Sequence, residues 1–466
     1  MTPPGADDTV RWVDERLGAG RLARRAMRYV FPEHWSFLLG EVAMYAFVFL
    51  ALSGTFLALF FSPDIASHET YAGPFRELAG ATVTPAYRST LDLSSTVPGG
   101  LLMRQAHHWA ANVFVAAMVL HLLRVFFTGA FRKPRELIWV IGVVLLGAGI
   151  FEGFAGYSLP DDLMSGMGLA IAYGVALSLP LIGGEIGALA WGGQYPGPGA
   201  IESRLFIAHV FVVPALMATL IALHLALVAR HHHTQFAGPG RREDNTVGNP
   251  MWPGYALRSV GLMLLVAAVL VALGGLVQIN PIWHWGPYEI NRSTNGAQPD
   301  WYLGWLIGGL RLMPGFDVRI GGLTLVPNPF WGGALFPMVV FGVAALFPFA
   351  ERRLTRDRAR HHLLDRPRDH PWRTAFGVAF LTWVLLIFFA GSADRVFLAL
   401  GFSYEGQVLV YRWLVLVLPL VAFGVTHAAC DALRRSGVRP LRGGPPTVVQ
   451  RRPDGAFEEL SRSRAP

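Results

Sequence analysis

Residues 104–124 read RQAHHWAANVFVAAMVLHLLR, and residues 205–233 read LFIAHVFVVPALMATLIALHLALVARHHH. Each is an apolar run long enough to cross a bilayer core about 30 Å thick, which takes roughly 20 helical residues. Each carries a widely spaced pair of histidines: His107 and His121, then His209 and His224. An α-helix turns about 100° and rises about 1.5 Å per residue. The separations of 14 and 15 residues leave each pair within roughly 40–60° of one face and about 21–22 Å apart. One helix thus presents a histidine near each membrane surface, both facing one way. Two such helices side by side make two levels, each with one imidazole from each helix. That is the ligand set of two stacked bis-histidine haems. A lone intramembrane histidine reads more simply as a hydrogen-bonding or proton-relay group; two matched pairs favour haem. His108 adjoins His107 as an alternative ligand, but His107 gives the 14-residue step.

The rest of the chain agrees with an all-α polytopic membrane protein. Of 466 residues, 53% are hydrophobic and only 15% charged, against about 25% charged in soluble domains. Eight apolar runs predict spans A (about 36–62), B (104–127), C (137–157), D (205–229), E (256–278), F (330–349), G (374–392) and H (407–430). The net charge of +8 comes from arginines in short loops, which is a topology signal and excludes a nucleic-acid partner. Arginines concentrate before span A (Arg21, Arg24, Arg25, Arg28), between B and C, between D and E, between F and G, and after H. By the positive-inside rule both termini are expected in the cytoplasm, the chain being multi-pass in a bacterial plasma membrane. The polar start MTPPGADDTV predicts no cleaved signal peptide. A single cysteine, Cys430, excludes an internal disulfide, a cysteine-held iron–sulfur cluster and covalent haem attachment.

Glycines and arginines extend the haem reading. Gly40 and Gly54 in span A, and Gly142 and Gly156 in span C, are again 14 apart. Glycine removes the side chain where a flat macrocycle must approach a backbone. Spans A–D are therefore expected to form a four-helix bundle around two haems, B and D supplying ligands and A and C smooth walls. Arg104 and Arg124 lie three residues from His107 and His121, placed to pair with haem propionates. Pro214 should kink span D after His209. The long C–D connection holds an apolar stretch, GLAIAYGVALSLPLIGG, expected as a pair of short interfacial helices. A secondary transporter would also have eight spans with broken helices, but gives no reason for paired histidines. A di-haem anchor of a dehydrogenase would have fewer spans.

In order and spacing, R-Q-A-H…H-L-L-R, the glycine pairs, H-V-F-V-V-P…H and Pro299-Asp300-Trp301-Tyr302 resemble the cytochrome b subunit of quinol:cytochrome c oxidoreductases, the cytochrome bc1 complexes. The Pro-Asp-Trp-Tyr stretch is similar to the family's P-E-W-Y quinol-oxidation motif, with Asp for Glu. FPEHWSFLLGE, GGLLMRQAHHWAA, FFTGAFRKPRE, GYSLPDDLMSG, HTQFAGPGRRED and HHLLDRPRD resemble the actinobacterial branch. The likeness covers about residues 20–430. It departs elsewhere too, and the tail is shorter than in many actinobacterial relatives. The 15-residue step in span D is similar to the b6f type, and Arg258-Ser259 stands where mitochondrial relatives have Lys-Asp.

The resemblance implies a di-haem domain 36–237 and a C-terminal domain 238–432; the arginine distribution makes segment 1–35 cytoplasmic, and the polar, Pro/Arg-rich composition of the tail 433–466 predicts disorder. It implies a low-potential haem on His107 and His209 and a high-potential haem on His121 and His224. Quinol, menaquinol by family branch, would be oxidised on the outer side, with Asp300 taking its proton and Tyr302 and Tyr157 shaping the pocket. One electron would cross to a quinone on the cytoplasmic side, where His233 is the favoured contact among His231, His232 and His233. The implied partners are a Rieske-type iron–sulfur protein, a c-type cytochrome, a second copy of the complex as a homodimer, and a terminal oxidase.

Overall fold

The computed structural model describes residues 11–436 and 447–461, apart from 13, 17, 19, 21, 22, 24, 25, 198, 294–297, 393, 452, 455 and 456. Of the four N-terminal arginines, Arg21, Arg24 and Arg25 lie outside the described residues. Among the described residues there are eight long apolar helices: A (Trp35–Ala58), B (Gly100–Phe127), C (Glu136–Ser158), D (Ala200–His231), E (Met251–Leu276), F (Phe330–Thr355), G (Pro371–Ser392) and H (Tyr404–Arg435). Between 11% and 33% of the most apolar stretch of spans A–G is buried within the chain, and none of that of H. The remaining apolar surface is what a lipid-facing helix requires.

Spans A and B pack along each other, D lies on C, and E lies across A and B. Small residues permit the close crossings. A Cβ on Gly274 of span E would lie 2.7 Å from the Ala106 backbone nitrogen of span B. The bundle centre is an apolar plug that includes Phe114, Met118, Leu145 and Met217. Span F packs on C, and G pairs with H.

Span D begins as an α-helix, Ala200–Ile207, passes through a wide π-turn, Ala208–Val212, and resumes as α-helix at Val213. Pro214 has no N–H to give and its ring crowds the preceding turn, which a wide turn relieves. The turn also takes up one residue beyond α-helical spacing, so the 15-residue step in D places its histidines as the 14-residue step does in B.

The C–D connection does form two short helices, Leu163–Leu177 and Gly183–Trp191. Asp162 caps the first by accepting from Ser165 N at 3.1 Å. Three connections meet at this end of the bundle. Leu163 N donates to Gly286 O (3.0 Å) and Tyr288 N to Asp161 O (3.0 Å), tying C–D to E–F. Thr84 Oγ1 of the A–B connection donates to Asp161 Oδ2 at 2.7 Å. At the opposite, Arg-rich end, Arg135 donates to the carbonyls of His361 (2.6 Å), His231 (2.8 Å) and His232 (2.9 Å), clamping the B–C turn to span D and the F–G loop.

Span H continues to Arg435, and Thr447–Arg451 pairs antiparallel with Phe457–Ser461. Pro453-Asp454-Gly455 between the strands is a turn-forming sequence. The segment 437–446 lies outside the described residues.

Candidate functional site

The four histidines meet in pairs. The rings of His107 and His209 have centroids 6.2 Å apart, and those of His121 and His224 6.5 Å. Two imidazole nitrogens each about 2 Å from one metal ion place the ring centroids about 6 Å apart. His108 does not share the site. Its Nε2 lies 2.8 Å from both carboxylate oxygens of Asp300, so the geometry favours His107 of the two neighbours.

Each pair sits in its own cavity. That at the Arg-rich end has a volume of about 1130 Å³ and is lined by Gly40, Gly142, Arg124, His121, His224 and His233, among others. That at the loop end has about 300 Å³ and includes Gly54, Gly156, Arg104, His107, His209, Tyr157, Asp300 and Tyr302. Phe114 borders both, so the apolar plug separates the two levels.

The glycines lie where the histidines need them. A Cβ would stand 3.1 Å from His121 Cε1 at Gly40, 3.1 Å from His107 Cε1 at Gly54, and 2.5 Å from His209 Cε1 at Gly156. Gly142 meets nothing within 4 Å and faces open space. His107 Nδ1 lies 2.9 Å from Ser53 Oγ, and His209 Nδ1 lies 3.1 Å from the Glu152 carbonyl and 3.0 Å from its carboxylate. A partner on Nδ1 orients the ring and leaves Nε2 for a metal.

Of the arginines beside the histidine pairs, Arg104 and Arg124 are incompletely matched. Arg104 donates to Asn280 O at 3.1 Å, yet its Nε and Nη2 are buried with no hydrogen-bond partner among the described residues, as is Nε of Arg124. A buried guanidinium short of partners calls for an anion. A propionate beside each histidine level meets that need. On ring spacing, glycine walls and unmatched arginines, the residues fit haem at both levels.

Asp300 anchors a polar group at the loop-end cavity. Tyr302 Oη donates to its Oδ2 at 2.8 Å, and His108 reaches both oxygens. Burial pushes the carboxyl up, but the His108 ring, Tyr302 and Asn112 outweigh it and hold Asp300 below the ordinary carboxylate range. Tyr302 reaches Asp300 past Gly153, where a Cβ would lie 2.6 Å from its hydroxyl. Tyr157 lines the same cavity, with its hydroxyl donating to Met164 O at 3.1 Å, so it braces the wall and does not bond Asp300. His108 and Asp300 stand 192 residues apart, so their pairing has no local signature in the sequence beyond the His107-His108 doublet.

At the Arg-rich end, His233 packs on Phe31 (ring centroids 5.2 Å apart) and lines the cavity. Burial, with Arg124 and Arg135 nearby, lowers its pKa to about 4, so it is neutral at physiological pH. His231 turns instead to a separate polar cleft with Arg28, Arg230 and Arg360, and His232 borders both.

A helical membrane bundle with two stacked imidazole pairs, glycine walls and unmatched arginines defines a di-haem-type membrane protein. A family model described as Cytochrome b(N-terminal)/b6/petB matches residues 112–287. The chain is 44% identical to the cytochrome bc1 complex cytochrome b subunit of Streptomyces coelicolor, over 98% of this chain and 84% of that one. It is 43% identical to that of Corynebacterium diphtheriae (97% and 84%) and 42% to that of Mycobacterium leprae (97% and 82%). A solved structure titled hyperthermophilic respiratory Complex III shares the fold, with TM-score 0.66, 20% identity, and coverage of 90% of this chain and all of that one. The chain belongs to the cytochrome b subunits of cytochrome bc1 complexes.

Proposed function

We propose that this chain oxidises quinol at its loop end and reduces quinone at its Arg-rich end, as the b subunit of a respiratory quinol–cytochrome-c reductase. The observation that carries the reading is the two-level arrangement of His107 with His209 and His121 with His224, each beside its own cavity. Bound there, two b haems supply one-electron transfer across the bilayer. We assign the low-potential site to His107 and His209 and the high-potential site to His121 and His224. Arg104 and Arg124 would hold the propionates, and Gly40, Gly54, Gly142 and Gly156 would flank the macrocycles.

Asp300 is ionised at neutral pH and faces the loop-end cavity, so it can accept the proton of a quinol hydroxyl. Tyr302 fixes its carboxylate, and Tyr157 holds the cavity wall against the short helix Leu163–Leu177. At the other cavity, neutral His233 offers a hydrogen bond to a quinone oxygen. Proton release at the loop end and uptake at the Arg-rich end make the transfer electrogenic. This places the loop end outside the plasma membrane and both termini in the cytoplasm, as the arginine distribution supports. The first electron leaves to another chain, because a single cysteine cannot hold an iron–sulfur cluster. A Rieske-type protein and a c-type cytochrome in a dimeric complex feeding a terminal oxidase fit that need. The actinobacterial likeness supports menaquinol as substrate.

A reduced-minus-oxidised spectrum of the purified complex, with pyridine haemochrome quantification of this subunit's b haems, tests the reading. Two b haems per chain are expected, falling to one or none in His121→Ala and in His209→Ala. A folded complex with no b haem on this subunit would overturn it.

A further inference from the structure

We propose that Glu41 is the acid that protonates quinone at the Arg-rich end; the proposal rests on the inner-site reading above. Glu33 and Glu41 are the two carboxylates among the residues lining the larger cavity. Glu33 is exposed and already engaged, paired with the Arg258 guanidinium and accepting from the Asn249 amide. Glu41 follows Gly40, the residue against which the His121 ring lies. It therefore borders the cavity at the level of that histidine.

The surroundings of Glu41 are built for an acid. Ser259 Oγ donates to its Oε2 at 2.9 Å and Tyr45 Oη at 3.4 Å. Tyr255 lies beside this group, and Tyr45 and Ser259 are bonded to each other. Two hydroxyls, one from span A and one from span E, thus converge on one carboxyl in a wall that is otherwise mostly apolar. Glu41 lies in the first turn of the α-helix Leu38–Ala58, near the Arg-rich end of span A, where a carboxyl bordering a cavity can exchange protons with water. The cluster also makes sense of Arg258-Ser259. The acid that the family resemblance places near the start of span E is absent. Ser259 instead orients a carboxyl supplied by span A, and Arg258 holds Glu33 at the mouth.

Reduction of a quinone to a quinol consumes two electrons and two protons. The electrons derive from quinol oxidised at the loop end. The protonated Glu41 carboxyl breaks its O–H bond as one reduced carbonyl oxygen forms a new one. The resulting carboxylate regains a proton from cytoplasmic water through the mouth beside Glu33 and Arg258. The second quinone oxygen takes its proton from water on the His233 side.

The test uses the intact complex carrying Asp300→Asn, which disables the outer site, so that added quinol can reduce haem only through the inner one. Glu41→Gln in that background should slow quinol-driven haem reduction at least about tenfold, a modest share of the 10²–10⁴ typical of acid–base groups. Glu41→Asp should recover most of the rate. Redox-difference infrared spectra should contain a carboxylic C=O band that vanishes in Glu41→Gln and shifts in Ser259→Ala. An unchanged rate and an unchanged band in Glu41→Gln, with both haems present, would overturn the role of Glu41 alone. No haem reduction in the Asp300→Asn parent would overturn the inner-site reading itself. Should Glu41→Gln fail to assemble, unshifted bands in both Glu41→Asp and Ser259→Ala would count against the proposal.

Discussion

Gly156→Ala tests the haem cradle with the least chemical change. The added Cβ would lie 2.5 Å from Cε1 and 2.8 Å from Nε2 of His209, where ordinary contact starts at 3.4 Å. The ring would have to retreat about 0.9 Å. It is not free to do so, because Nδ1 is held by the Glu152 carbonyl and carboxylate. Overpacking of this kind costs about 1–3 kcal/mol, or about 5- to 150-fold in haem affinity. The assay is haemochrome quantification of the purified complex from cells grown with limiting haem. Occupancy at the His107–His209 level should fall, while the other level stays filled. Gly40→Ala and Gly54→Ala, with a Cβ at 3.1 Å from the nearest ring atom, should cost less. Gly142→Ala separates two explanations, since it meets no protein atom within 4 Å. A loss of haem there can come only from the macrocycle. Full occupancy in Gly156→Ala with unaltered spectra would refute the argument.

Asp300→Asn should lower quinol oxidation about 100-fold or more while both haems remain, measured as quinol-dependent cytochrome c reduction; undiminished turnover would remove Asp300 from the chemistry. Asp161, whose carboxyl burial pushes up to about 7 against the opposing hydrogen bond from Thr84 and with the added charge of Asp162, gives a pH signature. The folded chain keeps a proton that the unfolded chain loses near pH 4. This stabilisation is present below about pH 4 and is lost as pH rises through about 7. Asp161→Asn should therefore melt progressively higher relative to the parent as pH climbs through that window, and parallel melting curves would exclude the effect.

The spans and the histidine levels were legible in the sequence because both depend on one helical period. Long apolar runs fix the number of helices, and 14- or 15-residue steps fix which side chains share a face. The paired short helices after span C were readable for the same reason. What the sequence hid depends on contacts across the chain. His108 meets Asp300 over 192 residues and Glu41 meets Ser259 over 218; neither pair has a local signature. Gly153, which lets Tyr302 through to Asp300, falls outside the 14-residue glycine rhythm.

The π-turn at Ala208–Val212 has an evolutionary consequence. A residue added to a regular helix rotates everything beyond it by about 100°, which would aim one histidine of a pair away from its partner. A wide turn confines that extra residue to a single loop of backbone. One codon gained or lost at this point would leave the phase of the helix on either side intact. Lineages can therefore differ by one residue between these two histidines without passing through an ancestor that had lost a haem.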